Sequence, residues 1–505
     1  MSYDVVVIGG GVNALTAASY LAQAGQKVSM VCPGDQIGGM CARHEFHPGF
    51  TSPGILNDTS MFRSWVVEEL GLKDHGLRYA PSTKTLAVAK DQRILLSDDT
   101  DETATEIAKV SSSDARSYKA MKAFYGKIAG PITQLLNNIP PDIVDPQGSD
   151  LWSLFKRGFQ LRRLGKKDML EILRLAPMAV YDWLDEWFEN DGLKAALALP
   201  AVTESYSGPW SPGTNANFLM QQVTRGLSVR GDGLALVSAL EKAAKRYGVQ
   251  FATGVKVSVI EPGKGIQLAD QRFIEAKTIV AACGPKKVFL EMMDPRQLSH
   301  TFEQRLTKFR TRGLCSQLLL AVKQAPSFEG AGEANRVLVA DDLDSIERAF
   351  DPIKYDEVTR HPCLEIYLPS QDHDDLAPAG QAVISVLIHY TPYSLKGGWT
   401  DAARKRICDP VIETLDEKMP GLKKSILGQA LLTPQDIEER YGLSGGQLCE
   451  GEHALDQLLV RPTPECVQYS TPFEGLYLCS GGSYPGGGLT GAPGALAVKR
   501  VLQGQ

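Results

Sequence analysis

Residues 5–14 read Val-Val-Val-Ile-Gly-Gly-Gly-Val-Asn-Ala. Four β-branched residues in a row mark a strand buried on both faces, since a half-exposed strand would alternate. After the glycines, Ala14, Leu15, Ala17, Ala18, Leu21 and Ala22 recur at helical spacing. Gly25 closes that helix, and Val28–Val31 reads as a second buried strand. The stretch is therefore a β-α-β unit with a glycine turn. Gly9-x-Gly11-x-x-Ala14 fills the turn: Gly9 permits the bend, Gly11 lets a pyrophosphate reach the backbone, and small Ala14 keeps helix and strand close. The context predicts a dinucleotide site.

One part of that pattern is missing. The acid that takes the ribose hydroxyls belongs at the end of the second strand, about 20 residues on. Cys32, a poor hydrogen-bond partner, stands there instead. Asp35 is the candidate substitute; backbone groups or water are the other way to hold a ribose. Gly38 and Gly39 follow in the next loop, and a third glycine-rich stretch runs through 481–494 near the far end.

With 505 residues, the chain exceeds what one core supports, and 43% apolar with 22% charged residues places it among globular proteins. A net charge of −6 argues against a nucleic-acid partner. The nine cysteines are dispersed with no C-x-x-C, which reads as reduced thiols. The sequence opens without a signal-peptide pattern, and no uncharged apolar run reaches the roughly 18 residues of a membrane span. A cytoplasmic location is expected. Residues 105–190 are mostly helical in period, broken at Pro131, Pro140-Pro141 and Pro177; 207–217 is a turn-rich break. A helix at 234–247, a strand over 249–260, further strands at 278–283, 316–322 and Ala382–His389, and a helix at 402–418 follow. The fold class expected is α/β, a Rossmann-like unit assembled from 1–75, 226–297 and 455–505, with an inserted α+β substrate or cap domain from 76–225 and 298–454.

The segments 7–25 (VIGGGVNALTAASYLAQAG), 37–41 (IGGMC), 229–240 (VRGDGLALVSAL) and 253–260 (TGVKVSVI), with the tail 475–494 (GLYLCSGGSYPGGGLTGAPG), resemble bacterial phytoene desaturase-type flavoproteins. The resemblance is nearest to the subgroup called pyridine nucleotide-disulfide oxidoreductase domain-containing protein 2. Residues 182–198, 208–214, 433–448 and 453–462 extend it over nearly the whole chain. It implies an FAD-binding fold of the glutathione reductase and amine oxidase type, acting on an apolar or conjugated substrate. Carried over by position, Gly9, Gly11 and Ala14 would cradle the pyrophosphate. Gly38 and Gly39 would lie near the ribitol and ribose, and Val257 would meet adenine through its backbone. Gly481, Gly487, Gly488, Gly491 and Ala492 would line the flavin. The chain departs from the family pattern at Cys32 (usually Glu), Asp232 and Leu234 (usually Gly), and Tyr484 (often His).

The tail also has a physical reading. Consecutive glycines let a flat ring lie against the backbone. Thr490 is the expected N-cap of the closing helix and Pro493 suits its first turn. That helix would aim its positive end at the flavin and favour negative charge on it. Residues 42–46 offer Cys41 no partner thiol, which excludes a disulfide reductase, and no second nucleotide turn appears. Oxygen or a quinone is the expected acceptor.

For a catalytic base the candidates are Tyr484, His453 and His389, each equally readable as structural. Between 151 and 167, Lys156, Arg157, Arg162, Arg163, Lys166 and Lys167 interleave with Trp152, Phe155, Phe159, Leu161 and Leu164. This stretch is readable as a peripheral membrane contact, a solvated cap face or a partner-docking face. Trp183, Leu184, Trp187 and Phe188 form a stripe read as core. His44 to His47 and 372–375 lack a second ligand cluster, so no metal is expected. Three functions remain open: an FAD-dependent dehydrogenase or desaturase taking a hydride from an apolar, cyclic or polyene substrate; an amine oxidase-like enzyme; and a flavoprotein-like scaffold with weakened FAD binding. The oligomeric state is left open.

Overall fold

The computed structural model describes the chain except residues 1, 91, 143–145, 147, 164, 204, 325–327, 329, 333, 370–371 and 505, and the side chains of 149, 153, 157, 160 and 161. Among the described residues, Ser2–Ile8 lies inside a seven-stranded sheet, parallel to Val28–Val31 on one side and Phe273–Ala281 on the other. Gln250–Ala252 extends one edge. Phe273–Ala281 serves two further neighbours: its first residues pair with Gly265–Leu268 and its last with the tail strand Leu476–Leu478. Val5 and Val7 enter one core with Leu15, Leu240 and Leu496, whereas Val6 and Ile8 enter a second with Val288, Phe289 and Phe302. Burial on both sides explains why this run is apolar at every position.

A second seven-stranded sheet runs Ile426–Leu432, Cys315–Val322, Ala382–His389, Leu364–Tyr367, Arg336–Val339, Lys84–Ala89, Gln92–Ser97. Its strands alternate between two cores. Leu86, Val88, Val337 and Val339 face Ile407, Val411 and Leu415 of the helix Asp401–Lys418. Ala87 and Leu338 face the helices Ser112–Leu136 and Asp191–Val202, where Trp183, Leu184 and Phe188 are buried as expected.

Several expectations change. Pro131 lies inside Ser112–Leu136 instead of breaking it. Burial of Tyr118, Met121, Tyr125 and Ile128 along that helix outweighs one missing hydrogen bond, a cost of about 3 kcal/mol. Residues 249–260 form two strands, Gln250–Ala252 and Val257–Glu261. Between them Gly254 N–H and Val255 N–H turn to the carbonyls of Gly34 and Cys32, at 2.9 and 3.1 Å. The helix Thr214–Thr224 begins within the turn-rich break. The helix His300–Lys308, placed by sequence in the cap, packs Phe302 and Leu306 beneath the first sheet. Phe302 meets Phe289 edge-on with ring centroids 4.9 Å apart.

Candidate active site between the glycine loops and the second sheet

The first turn is pinned from both sides. Gly9 N–H donates to Val31 O at 2.8 Å, and Ala282 N–H to Ile8 O at 2.8 Å. The helix Val12–Gln23 starts at Gly11, and no side chain caps it. Ala14 is buried against the sheet. Gly38 N–H donates to Gly10 O at 2.8 Å, and Gly39, with φ of 56°, sits so close to the turn that a Cβ there would stand 2.7 Å from Gly11 Cα.

The tail helix Ala492–Gln503 begins at Gly491, again with no side-chain cap. The left-handed backbone of Gly491 makes the bend, so Thr490 is one residue too early to be the N-cap; its Oγ1 only receives Ala492 N–H at 3.4 Å. Pro493 lies in the first turn as expected. Gly494 packs directly on the chain at Asn13, where any Cβ would overlap the Asn13 carbonyl. Two uncapped helix N-termini are thereby held together, offering free N–H groups to negative charge. At Gly11 and Gly488, by contrast, a Cβ would meet nothing nearer than 3.9 Å, and this open glycine backbone fits a pyrophosphate with a flat ring beyond it. Gly9, Gly11, Ala14, Gly38 and Gly39 would hold the phosphates, and Gly481, Gly487, Gly488, Gly491 and Ala492 the ring.

The stretch 481–488 is braced from behind. Gly481 N–H donates to Glu450 Oε2 at 2.6 Å. Arg461, wholly buried, donates through its guanidinium to the carbonyls of Gly451 and Gly481 at 3.0 and 3.1 Å. Gly487 N–H donates to His453 Nε2 at 3.2 Å. Burial pushes the Glu450 carboxyl up to about 7, against the pull of the Gly481 N–H. At the other end Cys32 is buried, its thiol packed on Gly10 and 3.7 Å from Gln36 O, and burial raises its pKa. Asp35 is exposed in the following loop, beside Gly254. Val257 is half-buried at the start of its strand, on the edge of the core holding Val31.

A cavity of ≈ 280 Å³ opens between Gly488 and Leu489 of the tail, the second sheet and the helical layer. Ile55, Leu56, Leu197, Leu338, Leu387 and Leu448 supply its apolar wall. Arg336 supplies its polar floor, reaching Asp58 Oδ2 at 3.1 Å, Glu365 Oε1 at 3.3 Å and Asn57 Oδ1 at 2.7 Å. Burial alone would raise the Asp58 carboxyl, but Arg336 and Arg225 hold it well below the usual range. Asp232, in the adjoining buried cluster, is pushed by burial up to about 6, partly offset by Arg336. His389 also lines the cavity. Its Nε2 is buried without a hydrogen-bond partner among the described residues and lies 3.8 Å from Glu365 Oε2. That gap is too long for a hydrogen bond, and burial lowers the imidazole to about 4, leaving it neutral at pH 7.

Of the candidate bases, only His389 is among the residues lining the cavity. Tyr484 is fully buried, with its hydroxyl on Leu135 O at 2.8 Å and its carbonyl receiving Tyr469 O–H at 2.9 Å. It ties the tail to the helical layer, as His453 ties it to the segment behind. Sequence reading missed Asp58, Arg336, Glu365, Glu450 and Arg461. For two of them a signal was available: Arg336 and Glu365 are charges within otherwise apolar strands, Arg-Val-Leu-Val and Leu-Glu-Ile-Tyr.

Residues 7–60 match the NAD(P)-binding Rossmann-like domain family. The chain is 30% identical to pyridine nucleotide-disulfide oxidoreductase domain-containing protein 2 of Rattus norvegicus, covering 99% of this chain and 93% of that one. It is 27% identical to a subunit of limonene dehydrogenase from Castellaniella defragrans, covering 99% and 94%. A solved putrescine oxidase shares the fold with a TM-score of 0.61 at 13% identity, covering 100% of this chain and 99% of that one. The glycine turns and the two uncapped helix ends suit FAD, and the fold is the one shared with putrescine oxidase. The chain belongs to the family of pyridine nucleotide-disulfide oxidoreductase domain-containing protein 2, within the flavin-type oxidoreductases.

Proposed function

We propose that the chain is a dehydrogenase or desaturase of the phytoene desaturase type, removing a hydride from a C–H bond of a mainly apolar substrate while a proton leaves the adjacent carbon. Bound FAD would supply the two-electron acceptor. One observation carries this reading: a single cavity is walled by Gly488 and Leu489 of the tail on one side and by His389 on the other. The leucine wall keeps water from the reacting carbon and orients it. Neutral His389 is placed to hold the departing proton at Nε2, with Glu365 near enough to stabilise the resulting cation. The helix end at Gly491 favours negative charge at the ring.

The amine oxidase-like alternative wants an aromatic cage. Among the residues lining the cavity, Tyr118 is the one phenyl-type ring, which favours an apolar reacting group over an amine. The test is the colour of the purified protein, followed by anaerobic bleaching with cyclic terpenes, polyenes and monoamines. A colourless preparation that takes up no FAD would overturn the reading, and bleaching by monoamines alone would hand it to the alternative. His389→Gln is expected to slow bleaching about 100-fold with flavin content unchanged.

We also propose peripheral membrane contact through 151–167. Leu151, Trp152, Phe155 and Phe159 are 56, 67, 65 and 54% exposed on the helix Gly148–Arg163, beside Lys156, Arg162, Arg163, Lys166 and Lys167. The side chains of Arg157, Leu161 and Leu164 lie outside the described residues. No helix among the described residues is long and apolar enough to cross a membrane. Co-sedimentation with anionic but not neutral vesicles is the expected result; no co-sedimentation with either overturns it.

A further inference from the structure

We infer that the cavity takes a substrate with one anionic head group on an apolar body, the head held by Lys122 and Arg225. This rests on the reading of that cavity as the substrate site. Both side chains line it, together with Gln221 and Gln222 from the helix Thr214–Thr224.

The charges around the cavity are not evenly matched. Arg336 has two carboxylates, Asp58 and Glu365, within 3.3 Å. Among the described residues Arg225 pairs with one carboxylate, Asp58, at 3.4 Å, and that carboxylate is already committed to Arg336. Lys122 Nζ meets the neutral Gln222 Oε1 at 3.3 Å and pairs with no carboxylate among the described residues. The third acid of the lining, Asp98, is occupied by the Ser82 hydroxyl at 3.0 Å and the Thr83 N–H. Lys122 is half-buried, and both burial and the nearby Arg225 lower its pKa.

Two cations that disfavour each other in a partly desolvated wall make an incomplete arrangement, and an anion arriving between them would complete it. The rest of the wall says what the anion must be attached to. Leu56, Leu96, Leu197, Leu314, Leu338 and Leu387 can pair with nothing polar, so the body of the ligand is apolar. A bare hydrocarbon would leave half-buried Lys122 covered and without a carboxylate partner among the described residues. An alkylamine would add a third cation.

The test is calorimetric titration of the flavin-loaded protein with octanoate, octyl phosphate, octanol and octylamine. One of the two anions should bind at least about tenfold more tightly than octanol, as a charge-assisted hydrogen bond predicts. Whichever anion wins identifies the head as carboxylate or phosphate. Lys122→Gln should cut that preference severalfold without loss of flavin, and Lys122→Arg should restore it. Equal binding of octanol and both anions, tightest binding of octylamine, or a preference undiminished by Lys122→Gln would each overturn the inference. Failure here is separable from failure of the proposed function. Protein bleached by hydrocarbons but indifferent to anions loses only the head-group site; protein that keeps the anion preference without holding flavin loses only the oxidoreductase reading.

Discussion

The two glycine loops that face the cofactor groove have similar composition and opposite support. Behind 481–488 stand Glu450, Arg461 and His453, each bound to a main-chain group of the loop. Around 9–11 the bonds are all backbone, and the one side chain at the expected ribose position is the thiol of Cys32. Cofactor affinity is therefore expected to be weighted toward the 481–488 loop, which side chains brace, and away from the 9–11 turn. A fingerprint motif and a binding site are thus not the same thing. The motif needs only backbone and small residues, whereas rigidity comes from side chains far away in sequence.

The arrangement is most vulnerable at the contact that brings the loops together. Gly494→Val forces a side chain into the Asn13 carbonyl and should cost more than about 4 kcal/mol in denaturant unfolding, with loss of bound flavin. Retention of yellow, stably folded protein would show that the two helix ends need not touch. Next comes Arg461→Met, which keeps the bulk but strips donors from two buried carbonyls. A loss of about 3 kcal/mol is expected, with flavin falling away at lower denaturant than unfolding itself.

Glu450 gives a pH signature of similar size. The folded chain raises its carboxyl from 4.5 to about 7, so the native state holds this proton more tightly than the unfolded chain does. Its contribution is complete below about pH 4.5 and is lost as pH rises through about 7, a swing on the order of 3 kcal/mol. Glu450→Gln should flatten that part of the stability profile; an unchanged profile means another group is responsible. The smallest effect belongs to the weakly supported end. Cys32→Glu, supplying an acid to the ribose, should tighten FAD about tenfold in fluorescence titration of the apoprotein. Unchanged affinity would show that backbone and Asp35 already suffice.

The first β-α-β unit was legible almost to the residue, because burial of Val5, Val6, Val7 and Ile8 on both faces leaves no polar position in that run to confuse the pattern. The strand Ala382–His389 and the helix Asp401–Lys418 were visible for the same reason: period and core agree. Thr490 misled because a left-handed glycine can begin a helix without any hydroxyl, and sequence does not reveal which of Thr490 and Gly491 makes the bend. Pro131 misled because the weight of buried aromatic and aliphatic side chains in Ser112–Leu136 is set by partners in Asp191–Val202 and Thr214–Thr224, invisible from the helix alone. The cavity was the least legible part. Asp58, Arg336 and Glu365 meet only when a loop of the nucleotide unit closes over two strands of the second sheet. No spacing rule connects residues so far apart.

The pairing of Leu476–Leu478 with Phe273–Ala281, and of Ala492–Gln503 with Val12–Gln23, also bears on how the protein is made. Synthesis delivers the amino-terminal strand and helix first, yet the surfaces that cover them arrive hundreds of residues later. Val5, Leu15 and Val498 cannot share a core while the last of them is still on the ribosome. A nascent chain still lacking Ala492–Gln503 therefore exposes the apolar face of Val12–Gln23 and lacks one of the two adjoining helix ends. Cofactor uptake is consequently an event that follows translation of residue 503, and a chain interrupted just before that point is a candidate for chaperones and proteases, not a slower enzyme.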